Sequence, residues 1–410
     1  MPVKRLRLAC YSANLTMSLV GTLSPLLFLT FREMYGISYS LLGLLVLVNF
    51  VTQLGVDLIF SFFSHRFHIP TAVKTAPVLT ALGLLIYALW PFFFPDTVYV
   101  GLVIGTVLFS AASGFNEVLI SPIIASLPSP DPERDMSRLH AVYAWGVVAV
   151  VAVTTVFLNV FSSANWQYLV LFFTLLPIFS LLLFWKAPIP AFSEEKSGGS
   201  MGRLLRTPGL WLSVFCIFLG GSAECTMAQW CSGYLERALG IPKSLGDILG
   251  VALFAVMLGL GRSLYGKFGK NIEKVLVLCM TGATVLYLVA ALSPLPWVGL
   301  FACALTGFAT SMLWPGNLSA ASARFPEGGV FLFAMMAAGG DLGASVGPQM
   351  VGTVTDLAMA WKPLSDLATS LSMTGEQFGM KLGILLGALF PLLGIFLALR
   401  LYRNARRRNG

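Results

Sequence analysis

The sequence predicts an all-α membrane protein, with twelve transmembrane helices in two pseudo-symmetric six-helix bundles. Three observations point there. The 410 residues are 57% hydrophobic and only 11% charged, against roughly 25% charged residues in soluble domains, so the chain has too little polar surface to be coated by water. Its apolar residues come in runs close to the ~20 residues that one bilayer-spanning helix needs. When those runs are threaded alternately through a membrane, the basic residues gather on one side.

The runs fall at about 8–30, 40–62, 72–94, 98–121, 138–160 and 166–185, then at 209–235, 245–266, 274–293, 296–318, 329–355 and 378–402. The first follows Lys4-Arg5-Arg7. It is longer than a signal-peptide core and has no small-residue cleavage site, so it reads as the first membrane helix. Short polar or proline-bearing breaks such as Pro95-Asp96 and Ser293-Pro294-Leu295-Pro296 separate the others. In hydrocarbon every backbone polar group must be bonded internally, so these runs are helices.

With the N-terminus in the cytoplasm, all but five of the 26 basic residues fall inside; Arg32, Arg237, Lys243, Lys362 and Lys381 fall outside. Twelve helices with both termini inside satisfy the positive-inside rule in every loop, whereas one helix more or fewer would scramble the loops after it. The net charge of +8 therefore reports membrane orientation, not a nucleic-acid partner. The six cysteines form no CxxC pair and lie in or beside apolar runs, as packing residues do. Neither a metal nor a cofactor is expected.

A polar stretch, 187–208, containing Ser193-Glu194-Glu195-Lys196, is the substantial cytoplasmic linker. It divides the chain into an N-terminal six-helix bundle, 1–186, and a C-terminal one, 209–410. A longer outer loop covers 357–377. Its segment Leu357–Leu371 predicts a short surface helix, and Thr374-Gly375-Glu376-Gln377 reads as a capping box opening the last helix. A shift of 204 residues aligns Gly36-Ile37 with Gly240-Ile241, Ser40-Leu41 with Ser244-Leu245, Phe50 with Phe254 and Leu54-Gly55 with Leu258-Gly259. The same shift superposes the second helix of each half and its inner basic loop. A six-helix unit duplicated in parallel is a transporter plan that places substrate at the repeat interface near mid-membrane.

Charges within the membrane cost about 2.5–3.5 kcal/mol each at the helix centre, so acids there mark function or a specific partner. Apart from those in loops or at run ends, four acids lie within the runs: Asp57, Glu117, Glu224 and Asp341. Glu224 stands deep in the seventh helix in Gly220-Gly221-Ser222-Ala223-Glu224-Cys225, where small neighbours leave room for water or ligand; it is the candidate for substrate binding or proton coupling. Trp230 on the same helix, and Trp314 and Asn317 in the tenth, are candidates for lining a cavity. Aromatic faces stack on sugar-like rings, and indole N–H and amide groups bond hydroxyls. Tyr234 reads as an anchor at the outer interface.

Asn116-Glu117 lies toward the cytoplasmic end of the fourth helix, and His140 opens the fifth at similar depth, so a Glu117–His140 pair is a candidate proton relay or inner gate. Asp341 sits among Gly339, Gly340 and Gly343, which permit close helix approach. Asp57 lies near the inner surface with Arg262 as its repeat-related neighbour, a pairing suited to a conformational latch. Each of these acids equally fits a structural hydrogen-bonding role. No HExxH or GxxxxGK[ST] pattern is present, so no enzyme is expected and any pumping draws on an ion or substrate gradient rather than on ATP.

Twelve helices in two halves, a cytoplasmic central linker and inner termini resemble the Major Facilitator Superfamily over the whole chain. The family's G-x-x-x-[DE]-[RK]-x-G-[RK]-[RK] marker falls at Phe63-Ser64-His65-Arg66-Phe67-His68, with His65 where the acid belongs. The corresponding loop of the second half, Gly261 to Lys270, is closer in kind. Asn49-Phe50-Val51-Thr52-Gln53 with Asp57, Asn116-Glu117, and His140 to Gly146 resemble the fucose-permease-like branch.

That resemblance implies alternating access and proton-coupled sugar uptake using acids of helices one and four. Glu117 takes the fourth-helix role, while helix one offers only Asn14, Thr16 and Ser18. The expectation is a secondary active transporter of a small polar organic solute such as a sugar, coupled to protons. It would act as a monomer in the lipid bilayer of a bacterial cytoplasmic membrane. A proton-driven exporter of amphipathic compounds and a non-transporting membrane receptor remain alternatives.

Overall fold

The computed structural model describes residues 2–63, 68–128, 132–187, 189, 204–325 and 329–409. Twelve helical spans are present among the described residues. The first six are α1 (Pro2–Tyr35), α2 (Tyr39–Phe63), α3 (Ile69–Phe93), α4 (Val98–Ser126), α5 (Pro132–Phe161) and α6 (Trp166–Phe173, resuming as Leu175–Trp185). Then come α7 (Pro208–Arg237), α8 (Lys243–Leu245, a π-helical stretch Gly246–Ala252, then Leu253–Phe268) and α9 (Ile272–Leu292). The last three are α10 (Pro296–Thr310 with Leu313–Arg324), α11 (Gly329–Ala360) and α12 (Gly375–Gly387 with Leu389–Asn409). Ten helices are long and apolar enough to cross a bilayer, and α5 adds a shorter apolar helix, Trp145–Phe161. Most of the expected linker and the marker loop at 64–67 lie outside the described residues.

Helix ends follow local chemistry. The capping box forms as the sequence predicts: Thr374 Oγ1 accepts from the Gln377 backbone N–H at 3.1 Å and Gln377 Oε1 from the Thr374 N–H at 3.2 Å. Before it lies the surface helix Lys362–Ser370, with Trp361, Leu367 and Leu371 exposed and Ala368 buried. α1 and α7 end alike. Gly36 and Gly240, matched by the 204-residue shift, have φ of +66° and +68°, and their N–H groups bond the carbonyls of Arg32 and Glu236 at 2.9 and 3.1 Å. That left-handed cap is the termination glycine permits and other residues resist.

Two compact units are formed, one of Met1–Gly36 with Val48–Lys196, the other of Ile37–Leu47 with Ser197–Gly410. In the first, Leu6, Ala9, Cys10, Phe60, Val73, Ile123 and Phe184 share a core. Neutral polar groups are tied internally there: Asn14 Nδ2 donates to Leu139 O at 2.6 Å and Ser180 to Ser12 at 2.7 Å. Phe31, Tyr87 and Trp166 pack edge to face. Arg5 closes the end of α6 by donating to Leu183 O and Leu182 O at 3.0 and 2.5 Å.

The second unit is built on α7. Three buried aromatics bind it to its neighbours through single hydrogen bonds: Tyr234 to Ala290 O at 2.5 Å, Tyr287 to Ala223 O at 2.5 Å, and Trp230 Nε1 to Pro348 O at 2.8 Å. Tyr234 is therefore a core residue rather than an interface anchor. Gly221 lets α7 and α11 touch backbone to backbone, since a Cβ there would stand 2.5 Å from Gly340 O; small residues let membrane helices approach in this way.

The segment Ile37–Leu47 belongs with this unit because Asp356 on α11 caps it. Asp356 Oδ1 accepts from the Tyr39 N–H at 3.0 Å and Oδ2 from the Ser40 N–H at 2.6 Å. The Tyr39 hydroxyl also donates to Glu376, and Gln349 Nε2 donates to Ser40 O at 3.2 Å. Orphan N–H groups of a helix start and a carboxylate satisfy one another.

Candidate functional site

Glu224 lies near the middle of the 30-residue α7. Its carboxylate is an acceptor only, so the carbonyls of its own helix cannot satisfy it and a donor must come from elsewhere. Arg262 of α8 supplies one. Its Nη2 stands 3.4 Å from Glu224 Oε1, while its Nε donates to Ser311 O of the α10 chain at 3.1 Å. The bond to Ser311 sets the plane of the guanidinium. Glu224 Oε2 is buried and has no hydrogen-bond partner among the described residues.

The pair is open on the arginine side, where the side chain is 41% exposed against 15% for Glu224. Val256, Leu260 and Leu264 form an exposed apolar stripe on α8 of the kind a bilayer covers. At 3.6 residues per turn, Arg262 points roughly 160° away from it. Glu224 likewise points about 180° from exposed Phe215 on α7. Both charges turn from the lipid-suited faces, as charged groups in membrane helices do.

Asp341 on α11 is buried, and its charge, with those of Glu224 and Arg262, acts on the Cys225 thiol. The structure thus gathers two carboxylates and one guanidinium about a single point of the second unit. Trp314 is half-buried and its ring packs against Gly340, the residue before Asp341. Asn317 is buried; its Nδ2 donates to Leu313 O at 2.6 Å and its side chain meets the Cys216 thiol. Trp230 is 1% exposed, with its only donor bonded to Pro348 and its ring 5.9 Å from that of Tyr39. Six residues beyond Glu224, it points about 120° away around the helix, so the structure does not bring the two together.

In the first unit Asp57 is buried on α2, and Glu117, exposed on α4, acts on it electrostatically. Among the described residues this sets one acid beside another. Arg262, expected beside Asp57 by repeat symmetry, has Glu224 and Ser311 as its partners. His140 lies on α5; its side chain lies outside the described residues, and so does any Glu117–His140 pair.

Sequence reasoning passed over one membrane acid. Asp247, at the start of the π-helical stretch, is 1% exposed, accepts from the Ser232 hydroxyl and pairs with Lys243 at 3.1 Å. The four-residue spacing of Lys243 and Asp247 was the available signal. Ser311 and Cys225 were likewise missed, since a backbone carbonyl acceptor and a thiol leave no pattern in sequence.

Comparison with known proteins places this arrangement in a family. A bacterial homolog of the human lysosomal transporter Spinster has a similar structure, with a TM-score of 0.73 at 13% identity, covering 98% of this chain and 97% of that one. An alanine mutant of the nucleoside transporter NupG gives 0.72 at 12% identity, covering 98% and 100%. The Escherichia coli fucose:proton symporter FucP gives 0.62 at 16% identity, covering 98% and 99%. At such identities the likeness is one of fold. No curated protein matches the sequence. The model of the Major Facilitator Superfamily matches residues 9–348, from within α1 to within α11. On that match and that fold, the chain belongs to the Major Facilitator Superfamily.

Proposed function

We propose that this secondary transporter is a proton-coupled symporter for a small polar, sugar-like solute, with Glu224 as the coupling carboxylate. One observation carries the reading. Glu224 stands mid-helix in α7 with one oxygen in a single long contact to Arg262 and the other buried without a hydrogen-bond partner among the described residues. A carboxylate held that loosely gains a proton without dismantling a tight ion pair. Asp341, Trp314 and Asn317 of the same unit are further candidates for solute binding or coupling, and Asp57 and Glu117 are secondary candidates for proton transfer or gating. The fold likeness to a fucose:proton symporter supports the class of solute and the coupling ion. The distribution of basic residues supports cytoplasmic termini. Solute and proton must each bind the inward- and outward-open states differently if they are to drive the exchange between them.

The test is uptake into proteoliposomes of purified protein, across a panel of labelled sugars and related polar solutes, with and without acid outside. The expected result is accumulation only with the gradient, abolished by a protonophore. Glu224→Gln should keep solute counterflow and lose accumulation. Gradient-independent flux, or wild-type accumulation by Glu224→Gln, would overturn the proposal. Efflux of amphipathic compounds would replace it with an exporter.

A further inference from the structure

Resting on that reading, we propose that Arg262 is a carboxylate-binding residue and that the transported solute is a small organic carboxylate, taken up together with a proton. The geometry of the Glu224–Arg262 pair points to it. Charge-assisted N–H···O bonds run at about 2.7–2.9 Å, and arginine and carboxylate commonly meet through two parallel bonds. Here a single contact at 3.4 Å joins them. An ion pair serving only to neutralise a membrane arginine would use both carboxylate oxygens; this one leaves Oε2 with no partner. On the other side, Nη1 makes no hydrogen bond among the described residues, and the guanidinium is 41% exposed.

The anchor at Ser311 completes the argument. With Nε held by that carbonyl at 3.1 Å, the open edge is the one formed by Nη1 and Nη2, whose two parallel donors match the two oxygens of a carboxylate. Arg262 leaves α8 on the side away from the apolar stripe of Val256, Leu260 and Leu264. A lysine would give a point charge without this fork.

Charge balance then ties solute to proton. Arg262 of α8 acts on Glu224, and Asp341 of α11 acts with both of them on the adjoining Cys225; the Tyr287 hydroxyl of α9 is already bonded to Ala223 O. A solute carboxylate on Arg262 displaces Glu224 Oε1 and leaves Glu224 as a second carboxylate beside one guanidinium. A proton taken from water onto Glu224 removes the excess. One anionic carboxylate and one proton move together, with no net charge.

Binding of matched probes to full-length purified protein tests this. D-glucuronate is compared with D-glucose, and L-lactate with 1,2-propanediol, by titration calorimetry in buffers of different ionisation enthalpy. In at least one pair the carboxylate should bind at least ~10-fold more tightly than its neutral partner, with uptake of one proton. Arg262→Lys should lose most of that preference and Arg262→Gln all of it. Should Arg262→Gln fail to give monodisperse protein, the Arg262→Lys variant decides alone.

No carboxylate preference in either pair, or a preference unchanged by these variants, would overturn the inference. Gradient-driven uptake of a neutral solute that survives Arg262→Gln would overturn it too, while leaving symport standing. Carboxylate binding that depends on Arg262, with no gradient-driven flux of any solute, would keep Arg262 as a carboxylate-binding residue and overturn uptake with a proton.

Discussion

α1 and α7 hold matching places in the two six-helix halves and end in the same left-handed glycine cap, yet their polar residues behave oppositely. In α1 the side chains of Asn14, Thr16 and Ser18 are all satisfied by backbone carbonyls: Leu139 at 2.6 Å, Ser12 at 2.9 Å and Leu15 at 2.7 Å. In α7 Ser222 does the same with Phe218 O at 2.9 Å, but two residues later Glu224 cannot. A hydroxyl or amide carries a donor and finishes its bonding on a helix; an ionised carboxylate has none to offer. The two halves thus share the helix end, while one acid obliges the second half to bring in a cation from another helix.

The comparison breaks first at Glu224. Glu224→Gln should lower gradient-driven accumulation by about 100-fold or more, the usual scale for loss of a proton-transferring group. Ser18→Ala on α1 should leave flux within about twofold, because it removes one local hydrogen bond. Equal losses in flux assays would mean that the halves share the chemistry.

Packing gives the next contrast. Gly221→Ala sets a Cβ 2.5 Å from a backbone oxygen, whereas Gly21→Ala on α1 meets only the Tyr143 hydroxyl at 3.3 Å. The first should destabilise the protein by about 1–3 kcal/mol and the second by clearly less, as read from thermal unfolding in detergent.

Asp356→Ala removes the acceptor for the N–H groups of Tyr39 and Ser40. It should cost about 1–2 kcal/mol, in line with loss of a helix N-cap, and raise hydrogen exchange at residues 39–43. Most nearly equal should be Gly36→Ala and Gly240→Ala. Both residues have open space around a positive φ, so each substitution should cost about 1–2 kcal/mol from backbone strain alone. Unequal losses would show that the repeated cap does different work in the two halves.

Much of the fold was readable in the sequence because hydrocarbon imposes it. Runs of apolar residues must be helices, and the side of each loop follows from lysine and arginine. Thr374 and Gln377 announced their capping box by spacing alone. Side-chain partners were less accessible. Glu224 stood out as an acid in an apolar run, but nothing local selects Arg262, 38 residues away, over any other cation. Repeat symmetry suggested Asp57 instead, since symmetry registers position and not the direction in which a side chain turns.

Trp230 looked suited to a cavity because it follows an acid on the same helix. Its orientation and its bond to Pro348 come from packing against α11, which the sequence does not display. Asp247 was masked by the flanking Lys243, which made that stretch read as a loop end. The attachment of Ile37–Leu47 to the second unit rests on Asp356, more than three hundred residues away.

The π-helical stretch Gly246–Ala252 of α8 has a consequence for all of this. Bonding each residue to the fifth rather than the fourth accommodates one additional residue in the coil, so every later side chain on α8 carries an angular offset of about 100°. Arg262 meets Glu224 on the far side of that offset. Removing a single residue from the wide coil would spin the guanidinium off its partner, leaving both residues of the ion pair intact in sequence and strangers in space.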